Sequence, residues 1–399
     1  MKDRKRILFV CHCATRTGAP LILLNFLNWV KQHRSHLSFE ILLKDGGPLE
    51  KEFKKITTVY RWRKNMWLVD FLDQHGLWGK KKHYILHKLG YLRYIMPQDR
   101  LLPVLKKNKY DLVFINSFAN CNIIPELAKN LKCPFICRAP ELKMIVEDYC
   151  GLECVQSSLP YLSHFIAVSD TVKNYFVDGL GISDKNISKI PGFFRPYKKE
   201  FYEKGLLKKQ LDIPEDAFVV CGCGTINWRK GTDIFIQIAS KLKCNTPLEK
   251  LFFIWIGGDL DRSYTKEIFH DVEKLGLGNI VKFVGIQKNP QDYFAISDLF
   301  AMTSREDPFP LVAMEAASLG LPIICFDNAV GSTEFINDQT GKVVSYLDSE
   351  AFGKAILSFL HNREALNLCA SVIKQRSNDY SIDNISPKLT KIIEEFCKH

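Results

Sequence analysis

Ser304-Arg-Glu-Asp-Pro-Phe-Pro-Leu-Val-Ala-Met-Glu-Ala-Ala-Ser-Leu-Gly-Leu-Pro-Ile-Ile-Cys-Phe-Asp-Asn-Ala-Val-Gly331 is the stretch on which the fold turns. It reads in order as an acidic loop, a helix, a Gly-Pro stop, a buried strand and a glycine-bearing loop. Pro308 and Pro310 suit the start of a helix, where no amide donor is needed, and Gly320 with Pro322 ends it. The residues between are apolar nearly all round, so the helix is expected to be buried. It nevertheless carries Glu315, a carboxylate that burial penalises unless it is paired or hydrogen-bonded. Asp307 lies eight positions earlier, where the free N–H groups of a helix start attract anions. Two acids bracketing an anion-friendly helix end point to a ligand with hydroxyls at both ends and a phosphate in the middle.

Working outward, short apolar strands alternate with helices along the whole chain. In the first half, strand Ile7 to Cys11 runs through a loop to Gly18-Ala19-Pro20 and a helix over about Leu21 to Gln32. Strands follow at Phe39 to Leu43, Leu112 to Ile115, Phe135 to Cys137 and Phe165 to Val168. The second half repeats the plan with strands at Phe218 to Cys221, Phe252 to Ile256, Val281 to Val284, Leu299 to Met302 and Ile323 to Phe326. Such alternation predicts parallel sheets with helices on both faces, and ligands at the carboxyl ends of the strands. The expected class is α/β, with two doubly wound Rossmann-like domains facing an interdomain cleft. Their bounds are 1–195 and 196–378, joined at the irregular Pro191-Gly-Phe-Phe-Arg-Pro-Tyr197 segment. Ile382, Ile385, Leu389, Ile392, Ile393 and Phe396 keep helical spacing, which makes 379–399 a terminal amphipathic helix.

The chain has 399 residues, 46% of them hydrophobic and 25% charged, which suits two globular domains and excludes disorder. No apolar run reaches the roughly 18 residues of a membrane span, and the start is too short in apolar residues for a signal peptide. A cytoplasmic location is expected, with peripheral attachment at the inner face of the membrane as an option. Thirteen cysteines are expected to be reduced thiols, several inside strands, such as Cys11, Cys221 and Cys325. Cys133, Cys137, Cys150 and Cys154 allow a zinc reading, weakened because the first pair flanks a Pro-Phe-Ile strand. The net charge of +11 and pI near 8.9 point to an anionic partner. No nucleic-acid motif accompanies that charge, so a nucleotide-sugar, a phosphorylated acceptor or an anionic membrane surface is favoured.

The Asp307 to Glu315 stretch, with Pro308-Phe309-Pro310-Leu311-Val312 inside it, resembles the signature of the retaining nucleotide-sugar glycosyltransferases of family 4, the glycosyl transferases group 1. That signature is Glu, seven residues, Glu. The resemblance implies the GT-B fold, a UDP- or GDP-linked sugar donor, a glycan or lipid-linked acceptor, no metal and no cofactor. It implies that the first acid contacts the donor sugar and the second the nucleotide ribose. Here the first position is Asp307 with Glu306 beside it, and either acid is a candidate. Phe309, Pro310, Leu311 and Val312 would present backbone to the phosphates, although Pro310 has no N–H. The family's Gly-Arg…Lys-Gly motif appears as Gly224-Thr225…Arg229-Lys230-Gly231, with Thr225 in the place of Arg and Arg229 as a substitute charge. Independently of any family, a fixed cation such as Lys230 lowers the barrier for a departing diphosphate. Gly18 and Ala19 correspond to the turn that nears the diphosphate and acceptor. Val330-Gly331 and Glu334 match in part a Gly-Gly-x-x-Glu loop. A His-acid pair of many members reads Pro140-Glu141 here, leaving Arg138, Glu141 and Asn116 as acceptor-side candidates. Competing readings are a catalytically silent sugar- or nucleotide-binding subunit and a sugar-nucleotide epimerase.

Residues 60–105 read as an added basic helical segment, with Lys80, Lys81, Lys82, Lys88 and Arg93 among Trp67, Trp78, Tyr84 and Tyr91. Ile85, Leu89, Leu92 and Met96 form an apolar stripe, the pattern of a helix lying on a membrane surface. An ordinary packed helix with a solvated basic face has the same pattern. The membrane reading predicts co-sedimentation with anionic liposomes at low salt that fades as salt is raised. Absence of binding at low salt rejects it.

Overall fold

A computed structural model of the chain describes residues 4–62, 101–196, 204–245, 250–329 and 331–397. Most of the basic 60–105 segment, residues 63–100, lies outside the described residues. The described residues contain two parallel sheets, each in its own compact unit.

In the first unit, β1 (Lys5–Cys11), β2 (Leu37–Leu43), β3 (Val59–Arg61), β4 (Leu112–Asn116), β5 (Phe135–Arg138), β6 (His164–Ala167) and β7 (Ile187–Lys189) are arranged 3-2-1-4-5-6-7. In the second, β8 (Phe218–Cys223), β9 (Leu251–Ile256), β10 (Val281–Phe283), β11 (Leu299–Met302), β12 (Ile323–Phe326) and β13 (Gly341–Val344) are arranged 10-9-8-11-12-13. Each order turns back beside its first strand, β1 against β4 and β8 against β11. That reversal opens a crevice at the strand carboxyl ends, the ordinary ligand position of a doubly wound sheet. The first unit comprises Met1–Ala167, Lys173–Ile190 and Ser386–His399, and the second Val168–Val172 and Pro191–Ile385.

The central strands are apolar on both faces because helices cover both. β4 is buried throughout and β9 likewise. Phe114 of β4 packs on Phe9 of β1, with ring centroids 5.1 Å apart. The helix Gly18–His33 turns Ile22, Leu23, Phe26, Leu27, Trp29 and Val30 inward at helical spacing. It starts before Leu21 because Pro20 is tolerated in the first turn, where its missing N–H breaks no bond. The terminal helix Ile382–Phe396 forms with Pro387 inside it, burying Ile385, Leu389 and Ile393.

β3, β7 and β13 are absent from the sequence reading. They are short sheet edges that include polar residues such as Arg61, Lys189 and Lys342, so no apolar run announces them. The expectation of thiols throughout needs correction, because Cys121 and Cys154 are joined in a disulfide with Cα atoms 5.7 Å apart. The fold brings together residues 33 apart in sequence, a proximity that spacing does not reveal. The zinc reading is not supported either: among the described residues no group of His, Cys, Asp or Glu is placed to hold a metal ion.

Phe114→Ala, a truncation at a fully buried central-strand position, is expected to cost about 3–5 kcal/mol of stability. Urea unfolding followed by tryptophan fluorescence checks this.

Candidate functional site

In the second unit three loops at strand carboxyl ends are tied into one piece. After β8 the chain turns at Gly224 and enters a single 3-10 turn, Trp228–Lys230, capped by Asn227, whose Oδ1 accepts from the Lys230 N–H at 2.9 Å. Gly231 closes the turn with φ of 66°, in the left-handed region. A Cβ there would lie 1.9 Å from the carbonyl oxygen of Thr303, so only glycine lets this turn meet the loop after β11. That loop is fastened in return. The Arg305 N–H donates to the Arg229 carbonyl (2.8 Å), and the Thr303 hydroxyl donates to the Lys230 carbonyl (3.2 Å). The loop after β12 joins through the Asp307 N–H to Ala329 O and the Gly331 N–H to Asp307 O, both 2.8 Å.

At the junction the Lys230 ammonium is ion-paired to Asp307. The Lys230 stem runs beside Gly224, which has no side chain to obstruct it. Both partners are largely removed from solvent, with side chains 13% and 7% exposed. Breaking such a buried pair by removing one member typically costs about 3–5 kcal/mol, because the other charge is left unpaired. Arg229 donates from Nη1 to the Glu306 carbonyl at 2.6 Å and stands 3.9 Å from the Asp307 carboxylate. Two cations therefore flank Asp307, and Glu306 is fastened through its backbone.

The helix Leu311–Ser318 begins here, with Pro310 as its N-cap. The Ala313 and Met314 N–H groups turn back onto the Pro310 carbonyl (3.2 and 3.4 Å). A small cleft is lined by Cys223, Lys230, Thr303, Ser304, Pro310 and Val312. Glu315 is half-buried further along the helix, with Gln291 Nε2 at 3.4 Å from its carboxylate. Burial pushes the Glu315 carboxyl up to about 7. Burial also raises the Cys223 thiol, and Glu315 adds to that rise while Lys230 opposes it, which places Cys223 within electrostatic reach of both. Thr225 is exposed. The Phe309 ring packs with Tyr380 (centroids 5.8 Å apart) and over Gly192. Glu334 accepts from the Asp170 N–H at the start of the helix Asp170–Asn174, and Val330 lies outside the described residues.

In the first unit, the carboxyl ends of β1, β4 and β5 carry a second polar cluster. Gly18 opens the first helix, and Ala19 accepts from Asn116 Nδ2 at 3.1 Å. Arg138 is fully buried, and among the described residues its guanidinium nitrogens have no hydrogen-bond partner. Burial lowers its pKa to about 10, opposed by the charge of Glu141. Glu141 accepts from the Phe118 N–H at 3.2 Å, and burial pushes it up to about 7 against hydrogen bonds from Ser117 and Phe118.

Several participants escaped the sequence reading. Arg305 makes a two-pronged ion pair with Asp233 (2.9 and 2.7 Å) and covers one face of the half-exposed Trp228 at 4.6 Å. Asn227 and Thr303 organise the turn that delivers Lys230. An Asn three residues before Lys230 is a capping signal that spacing offers; the Arg305–Asp233 pair, 72 residues apart, leaves none.

Two Rossmann-like units of this topology define the GT-B class, and solved structures bear it out. HepE from Anabaena, crystallised with UDP-glucose, matches with a TM-score of 0.79 at 20% identity, covering 98% of this chain and 99% of that one. Residues 203–377 match the model of the family described as glycosyl transferases group 1. The alpha-galactosylglucosyldiacylglycerol synthase of Streptococcus pneumoniae is 27% identical over 271 residues, 65% of each chain. The lipopolysaccharide core biosynthesis mannosyltransferase LpsB of Rhizobium meliloti is 26% identical over 204 residues, 49% of this chain and 57% of its own. The matches thus span less than two thirds of these curated relatives.

A pH signature follows from Glu315. Its folded pKa, about 7, lies above the ordinary carboxylate value of 4.5, so the folded state favours the proton. The stabilisation is complete below the ordinary value and is lost as pH rises through about 7. Glu315→Gln, which keeps the neutral shape, is expected to match the parent in thermal midpoint near pH 5 and to exceed it at pH 8. A constant difference across that range rejects the assignment.

Proposed function

We propose that the chain is a glycosyltransferase that moves a sugar from a UDP- or GDP-linked donor to a glycan or lipid-linked acceptor, with retention of configuration and without a metal ion. Surface polysaccharide or glycoconjugate synthesis is its setting, and the cytoplasmic side of a membrane its place. The carrying observation is the Lys230–Asp307 pair beside the start of the Leu311–Ser318 helix, inside the region that matches the model of glycosyl transferases group 1. The UDP-glucose bound to HepE and the diacylglycerol glycolipid in the S. pneumoniae relative's name support the donor and acceptor classes.

In this reading the donor diphosphate takes over Lys230 from Asp307. Lys230 and Arg229 then offset the charge that develops as the sugar–phosphate bond breaks, and the Leu311 and Val312 N–H groups at the helix start receive a phosphate oxygen. Asp307, relieved of its partner, turns to the sugar hydroxyls, with Glu306 as the alternative acid. Glu315 holds the ribose hydroxyls. The departing phosphate oxygen accepts the acceptor's hydroxyl proton while the acceptor oxygen bonds to the anomeric carbon on the same face. Arg138, Glu141 and Asn116 belong to the acceptor side. A second reading, a binding subunit without transfer, draws on the same pair, because Asp307 neutralises the cation that transfer requires.

Incubation with a panel of UDP- and GDP-sugars and candidate acceptors, with the product anomer read by NMR, tests the proposal. Lys230→Ala is expected to lower turnover by about 10²-fold, corresponding to roughly 3 kcal/mol of lost charge stabilisation. The comparison is made below the variant's melting point. Donor binding without transfer for every pair would favour the binding subunit, and an inverted product would overturn retention.

A further inference from the structure

The cystine sits where it can act on the first unit's polar cluster. Cys121 belongs to the 3-10 segment Phe118–Ile123, which directly follows β4, and Cys154 to the helix Leu152–Ser158. Cys121 is buried, whereas Cys154 is partly exposed. The chain they close, residues 121 to 154, contains β5, Arg138 and Glu141. The segment bearing Cys121 also supplies the Phe118 N–H that holds Glu141, and Lys44 Nζ anchors its other side at the Ala119 carbonyl (2.7 Å) and Asn122 Oδ1 (3.2 Å). Ser117, at the head of the segment, has φ of 97°, a conformation that side chains rarely adopt and that surrounding contacts must maintain. Cys150 lies four residues before Cys154, ahead of the start of its helix, and keeps a free thiol, and its carbonyl oxygen is 3.6 Å from Cys121 Sγ. Burial pushes the Cys150 thiol up to about 12, so it stays protonated near neutral pH and leaves the cystine undisturbed.

We infer that the Cys121–Cys154 cystine is a redox-modification site, taking a dithiol reductant as its reaction partner, whose state sets the order of the Phe118–Ile123 segment and thereby the seat of Glu141. A thiolate of the dithiol attacks Cys154 Sγ, forming a mixed disulfide and releasing Cys121 as a thiolate that takes up a proton. The second thiol of the reductant then attacks the outer sulfur of the mixed disulfide and frees Cys154. Two electrons pass to the protein, which gains two thiols, and the dithiol leaves as a disulfide. Once the bond is cut, the segment loses its covalent tie to the helix Leu152–Ser158 and is left to its hydrogen bonds with Glu141 and Lys44, its own turn and the packing of Phe118 on Phe165 and Phe176. The unfolded chain also gains the freedom that the closed loop denied it. The role assigned to Glu141 rests on the proposed function; the modification and the ordering do not, and their readouts need no transfer activity.

The test uses the full chain purified without reductant, then divided and treated or not with dithiothreitol. Peptide mass mapping after iodoacetamide is expected to give a Cys121–Cys154 cross-linked peptide in the untreated sample and two alkylated cysteines after reduction. Reduction should lower the thermal midpoint by roughly 5–10 °C. Amide hydrogen exchange should speed up at least tenfold in peptides covering 118–123 and 139–142, with the 304–318 peptides unchanged. Cys154→Ser should show the lowered midpoint from the outset and no further response to dithiothreitol, while Cys133→Ser keeps the full response. Should Cys154→Ser not fold, the wild-type pair of samples decides alone. Full alkylation of Cys121 and Cys154 without reductant, or a midpoint indifferent to reduction, overturns the modification site. A midpoint shift without faster exchange at 118–123 overturns the link to Glu141.

Discussion

The ion pair between Lys230 and Asp307 joins two residues that reach it from different loops, one after β8 and one after β11. Everything around it serves that meeting. Gly231 removes the side chain that would collide with Thr303, Asn227 caps the turn, and Gly331 passes close enough to bond the Asp307 carbonyl. Because both charges are largely buried, the pair stabilises the junction only while both partners stay in place. A polyanion carrying its own charge to Lys230 is the kind of ligand that can replace Asp307 without leaving a bare cation.

The two units share one topological rule and differ in the chemistry at their strand ends. In each sheet the order reverses beside the first strand, which leaves the carboxyl ends uncovered. The second unit fills that place with two cations, a helix start and a half-buried acid. The first fills it with amides, a buried guanidinium and Glu141, held by a segment that is covalently tied through Cys121. Glu315 and Glu141 are both pushed up to about 7 by burial, so each unit holds a carboxyl group able to donate a hydrogen bond near neutral pH. Uncharged, such groups can meet hydroxyl-rich ligands without repelling nearby phosphate.

Strands long enough to be buried on both faces were legible in the sequence, because a strand covered on both faces is apolar along its length, as β9 and β12 are and as β4 is up to Asn116. The edges β3, β7 and β13 were not, since an edge strand takes polar residues and draws its hydrogen bonds from a neighbour that sequence does not name. Lys230, Arg229, Asp307 and Glu315 were legible because glycine and proline frame them at fixed offsets. Arg305 and Asp233 were not, since a pair 72 residues apart has no local pattern. Phe309 shows the limit of a motif: it sits between the two acids, yet its ring is placed against Tyr380 and Gly192.

The sequence by itself determined the class of fold and the chemical inventory, since strand–helix alternation and glycine placement are short-range properties written in consecutive residues. Tertiary structure alone decided which charges meet. It paired Lys230 with Asp307, buried Arg138 beside Glu141, and joined Cys121 to Cys154 where spacing had suggested only thiols or a zinc ligand set. Partner choice among charges and thiols depends on distance in space and on exclusion of water, and neither quantity exists until the sheets have formed.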